Sequence, residues 1–140
     1  MTPNTPIDVT PTDRAAFNEA MTAVRADHAV LRDLATAASQ HSGFSTDDTL
    51  SLADAMLTHE SAESRLFSLP FVSAPPASVV STAARARKRC LEYTSGTYRL
   101  PDPQAAAALF IDALLTHLAV EDVWLDHEDE HVRERMRTIA

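Results

Sequence analysis

The chain has 140 residues, 45% of them hydrophobic and 23% charged, which suits one domain with a buried core. Twelve basic against twenty acidic residues give a formal net charge of -8, which argues against nucleic acid or an anionic membrane as the main partner. A single cysteine excludes an intramolecular disulfide, no apolar run approaches the ~18 residues of a membrane span, and the first residues carry neither a basic nor an apolar leader; the expectation is a cytoplasmic protein.

Two glycines and 6% aromatics, set against heavy use of Ala, Leu, Glu and Arg, favour helices over sheets. Met1 to Val9 offer almost nothing to bury and read as a disordered tail, leaving residues 10–140 for the folded domain. Thr10-Pro11-Thr12-Asp13 is a helix start, with Thr10 at the N-cap and Asp13 reaching back. The first helix is expected to run to about Gln40, before Gly43, with the stripe Phe17, Met21, Val24, His28, Leu31 and Leu34/Ala35. Ser45-Thr46-Asp47-Asp48 opens a second helix that ends before Pro70. A loop with adjacent prolines leads to a third, from Ala77 or Ser78 to Ser95-Gly96. Asp102-Pro103 opens the fourth, expected to reach at least Asp126. Beyond it, acidic residues up to Glu130 crowd together, and arginines at 133, 135 and 137 could offset them. No segment alternates with the period of a strand, so the fold class is all-α, an up-down-up-down four-helix bundle.

The second helix places His59 and Glu63 four residues apart in the stripe Leu52, Met56, His59, Glu63, Leu66/Phe67. At about 100° per residue, positions i and i+4 point the same way, so both belong to the inner face. The fourth helix repeats the device in Phe110, Leu114, His117, Glu121, Trp124/Leu125. A buried carboxylate is costly without a partner or a cation. One inward His is more often a hydrogen-bonded core residue, and one buried Glu more often meets an Arg. Five such residues in register on three helices, His28, His59, Glu63, His117 and Glu121, favour a metal site, and imidazole with carboxylate suits Fe, Mn or Zn.

A His on helix one, His59-x-x-x-Glu63 followed by Leu66-Phe67-Ser68-Leu69-Pro70 on helix two, and His117-Leu118-Ala119-Val120-Glu121-Asp122 on helix four together resemble the haemerythrin family in its HHE cation-binding form. The resemblance covers nearly the whole chain after the tail. It implies a bundle holding non-haem iron, one or two ions, that handles O2, peroxide or NO. By position it implies His28 and His59 on one iron, Glu63 and Glu121 bridging, and His117 on the second.

The departure is on helix three, where the family supplies further histidines and Ala77 to Gly96 contains none. Its stripe Val79, Ala83, Ala86, Cys90, Tyr93 offers Cys90, which reads as a small buried hydrophobe, and Tyr93, the candidate additional ligand. One metal position is then well served and the other poorly, so asymmetric occupancy is expected. His41, at a helix end, and His127 and His131, in a charged run, read as surface residues. The basic run Arg85, Arg87, Lys88, Arg89 reads as a solvated face able to pair with the acidic stretch after Trp124, or to attract an anionic substrate if it reaches a pocket mouth. Three functional readings follow: a haemerythrin-like iron protein for a small oxidant, an iron oxidase or oxygenase acting on a small organic substrate through positions opened on helix three, and a degenerate bundle with a zinc, sensor or partner role.

Overall fold

A computed structural model describes residues 9–39, 45–95 and 101–139. They form four helices, α1 (Pro11–Ser39), α2 (Thr46–Phe67), α3 (Ala77–Ser95) and α4 (Pro103–Ile139), with no strand among the described residues. No described helix is long and apolar enough to cross a membrane. The helix starts follow the local chemistry. At α1 the Asp13 N–H donates to Thr10 Oγ1 (3.1 Å) and the Thr10 N–H to Asp13 Oδ2 (3.0 Å), a reciprocal capping box. Ser45 Oγ accepts from the Asp48 N–H (3.3 Å) at α2, and Asp102 Oδ1 from the Ala105 N–H (3.0 Å) at α4. The expected stops at Gln40, Gly43 and Gly96, together with His41, lie outside the described residues, as do residues 1–8 of the tail.

Val9 departs from the tail reading. It is fully buried, in one cluster with Phe17, Met21, Phe71 and Leu125, because an apolar side chain just ahead of the N-cap folds back onto the first turns. Helix α4 also runs well past Asp126, for 37 residues in all. Its last turns have a seat: Val132 is buried, Glu128 accepts the Ser73 N–H (3.0 Å), Arg135 donates to Phe71 O (3.3 Å), and Arg133 pairs with Asp129 at i,i+4 (3.1 Å).

Helix α1 packs chiefly on α2 and α3 on α4. Two apolar clusters fill the interior. One joins Leu31, Ala35, Leu52, Met56, Cys90, Phe110, Leu114 and Leu118; the other joins Phe17, Met21, Val24, Leu66, Phe71, Leu125 and Val132. On α1, α2 and α4 the chain passes from one cluster to the other through His28, through His59 and Glu63, and through Glu121. A polar layer therefore lies between two apolar plugs, shielded from water on both sides.

The basic run of α3 pairs differently from expectation. Arg87 reaches Glu60 on α2 (2.5 Å) and Arg89 reaches Glu92 on its own helix (3.1 Å), while Asp126 of the acidic stretch pairs with Arg25 of α1 (2.7 Å). The sequence pattern shows which faces are charged; the helix packing decides which faces meet.

Candidate metal centre

The polar layer brings together the five residues singled out in the sequence. His28, His59, His117 and Glu121 are buried, and Glu63 is mostly so. One ligand atom each from His28, His59 and Glu121 lies within 4.8 Å of the others, and the same holds for Glu63, His117 and Glu121. Glu121 belongs to both trios, one oxygen to each. Its Oε1 is 2.9 Å from His28 Nε2 and 3.9 Å from His59 Nε2, and its Oε2 is 2.9 Å from His117 Nε2. Glu63 Oε1 closes the ring at 2.9 Å from His59 Nε2. Bonds of roughly 2.0–2.2 Å put neighbouring ligands of one ion about 3 Å apart, so small side-chain rotations bring each trio onto a shared cation.

All three imidazoles enter the layer by Nε2, because each Nδ1 is held from outside. His28 Nδ1–H donates to Asp122 Oδ1 (2.6 Å), and Arg32 pairs with the other oxygen of that carboxylate. His59 Nδ1–H donates to Asp27 Oδ2 (2.9 Å). His117 Nδ1 meets Thr82 Oγ1 (2.9 Å), and the Thr82 hydroxyl is itself 2.8 Å from the Ser78 carbonyl. With its one proton directed to the Ser78 or Val79 carbonyl, Thr82 accepts from His117 Nδ1–H, the tautomer that leaves Nε2 free for a cation. In each case the outer nitrogen is held by a group on another helix, and the inner nitrogen faces a carboxylate.

Two atoms at the centre, His59 Nε2 and Glu121 Oε2, are buried without a hydrogen-bond partner. Glu63 Oε1 and His117 Nε2 stand 2.9 Å from them, but these approaches have hydrogen-bond length without hydrogen-bond direction. His28 Nε2 and Glu121 Oε1 do form a hydrogen bond, but two buried ligand atoms left without partners beside it are what a cation satisfies, and imidazole with carboxylate is a donor set for iron, manganese or zinc. The residues present fit a metal.

The electrostatics agree. Burial by itself would raise the Glu121 carboxyl, but the surrounding His117, His28 and His59 outweigh it and hold it far below the usual carboxylate range. Glu63 is raised, by burial first and by the neighbouring Glu121 charge, against the pull of His59. Burial opposes charge on His59, yet Glu121, Glu63 and Asp27 together push its pKa up to about 10. The layer thus draws in positive charge, and protons and metal ions compete for the same inner lone pairs.

Tyr93 is not brought to this cluster. Thr82 marks the level of the site on α3, and Tyr93 lies eleven residues further along, about 16 Å at 1.5 Å per residue, where it is buried among the helices. Reading the stripe gave its face and not its depth. Cys90 sits in an apolar cluster, and burial, with Glu60 adding, pushes its thiol up to about 11; it is inert packing. His127 and His131 are exposed. Sequence reasoning missed the three groups that hold Nδ1, Asp27, Asp122 and Thr82, because each lies on another helix from its histidine and outside the apolar stripe. No protein-family model, no curated protein and no solved structure matches this chain.

Proposed function

We propose that this chain is a haemerythrin-like, up-down-up-down bundle that holds one or two metal ions, iron foremost, and handles a small oxidant such as O2, peroxide or NO. The observation that carries the reading is the convergence of three Nε2 atoms and two carboxylates in a dry layer, with each Nδ1 already engaged. The topology is supported by the pairs Arg25–Asp126 and Arg32–Asp122, since residue numbers rise along α1 while they fall along α4.

Bound there, iron would supply reversible binding or reduction of the oxidant. The protein's part is legible from its own residues. His28, His59 and Glu121 would hold one ion, and Glu63, His117 and the other oxygen of Glu121 a second. The apolar plugs keep bulk water away, and Asp27, Asp122 and Thr82 keep the inner lone pairs aimed. The reading of an oxidase or oxygenase for a small organic substrate has one observation in its favour. An open, largely apolar groove of about 410 Å³ lies in the α3–α4 seam, lined by Pro76, Ser78, Val120, Val123, Trp124 and His127, and begins at Val120, one turn of α4 beyond His117.

Metal analysis and an optical spectrum of protein purified without chelator test the proposal. Iron at one to two equivalents, with absorption that responds to O2, peroxide or NO, is the expected result. Zinc alone would move the protein to a structural or sensing role, and protein that takes up no transition metal would sink the reading.

A further inference from the structure

The three histidines are held by unlike partners, and the difference divides the site. His28 and His59 each give their outer proton to a carboxylate, Asp122 at 2.6 Å and Asp27 at 2.9 Å. His117 Nδ1 instead meets a neutral hydroxyl, Thr82 at 2.9 Å, which also reaches the Ser78 and Val79 carbonyls. A carboxylate behind an imidazole fixes the ring and raises the electron density on the nitrogen that binds the metal. A hydroxyl fixes the ring with little of the second effect.

We propose that Asp122 and Asp27 are positioning residues that make the His28–His59–Glu121 position the tight one, and that Thr82 leaves the Glu63–His117–Glu121 position exchangeable. The proposal rests on the reading of the polar layer as a metal site. With three ligands offered to each position, the inequality of the two is set on the far side of the imidazoles. The two aspartates are unequal in turn. Asp122 is 28% exposed, makes the shorter contact and has its second oxygen held by Arg32, so its orientation is fixed from both ends. Asp27 is 41% exposed, so water screens its charge more strongly. The order of effect is therefore Asp122 before Asp27.

The experiment is a chelator-competition titration of the full chain with cobalt(II), reading the affinities of the tighter and the weaker ion separately, with circular dichroism as the check on folding. Asp122→Asn should weaken the tighter ion about 10- to 100-fold and Asp27→Asn by less, with the weaker ion moved little in either case, since partners of metal-bound histidines typically act on this scale. A general loss of structure would weaken both ions together, so selective loss separates positioning from a merely structural role. Thr82→Asp supplies a carboxylate behind His117 and should tighten the weaker ion and narrow the gap, a gain that damage to the fold does not produce. If Asp122→Asn leaves the tighter ion within about twofold, or Thr82→Asp leaves the weaker ion unchanged in protein that is still helical, the proposal is overturned. A wild-type chain that binds no cobalt would instead overturn the metal reading beneath it.

Discussion

Helices α2 and α3 carry apolar stripes of the same kind past the same polar layer, and only α2 arms its stripe. On α2 the buried residues Leu52, Met56 and Leu66 are interrupted by His59 and Glu63. On α3 the buried run of Val79, Ala86, Cys90 and Tyr93 passes the layer with nothing but Thr82 and Ala83 at its level. Both helices bury their stripes, so packing alone does not distinguish them. Stripe position decides what is buried, and residue type at one level decides what the buried surface can do. Burying His59 beside Glu63 and Glu121 requires that their charges be compensated, by a metal ion or by a proton on the imidazole, whereas burying Ala86 and Cys90 stabilises the bundle without condition.

The most severe way to break this comparison is at Glu121, which gives one oxygen to each trio. Glu121→Gln keeps the shape and removes the charge, and both ions should weaken by more than about 100-fold in a competition titration. Retention of either ion would show that Glu121 does not link the two positions. Next comes the contrast between His59→Ala and His117→Ala. The first should weaken the tighter ion about 10- to 100-fold and the second only the weaker one, with exposed His131→Ala changing neither. Loss of metal in the His131 variant would place the site at the wrong end of α4.

A proton-metal competition should follow in pH titrations. Against burial, Glu121, Glu63 and Asp27 push the His59 pKa up to about 10, so at neutral pH a proton must leave before a metal binds, and affinity should rise about tenfold per pH unit for each proton released. The sign reverses for folding in the presence of chelator. A raised histidine pKa contributes stability that is fully present below about 6.5 and lost as pH rises through about 10, so the melting temperature of chelated protein should fall across that window. A flat melting profile there would remove His59 from the layer. The mildest and most pointed change is Ala83→His, which arms α3. A several-fold slower loss of the weaker ion to chelator is expected, and no change would mean that the α3 stripe does not face that ion.

Much of the fold was legible because its signals are local. Thr10 with Asp13, Ser45 and Asp102 cap helices through bonds that span three residues, and those bonds form as the motifs imply. The candidate ligands were legible because a polar group at i and i+4 in an apolar stripe is costly without a purpose. Asp27, Asp122 and Thr82 were not, since their partners are 32, 94 and 35 residues away in sequence. The depth of Tyr93, the seat of the last turns of α4 and the burial of Val9 were hidden for the same reason. The amino-acid sequence by itself determined four helices, their inner faces and five side chains suited to a cation, because periodicity and capping act within a few residues. Only the tertiary structure decided that the five share one dry layer, which carboxylate oxygen meets which nitrogen, and what stands behind each imidazole, because those relations depend on the rotation and height of one helix against another.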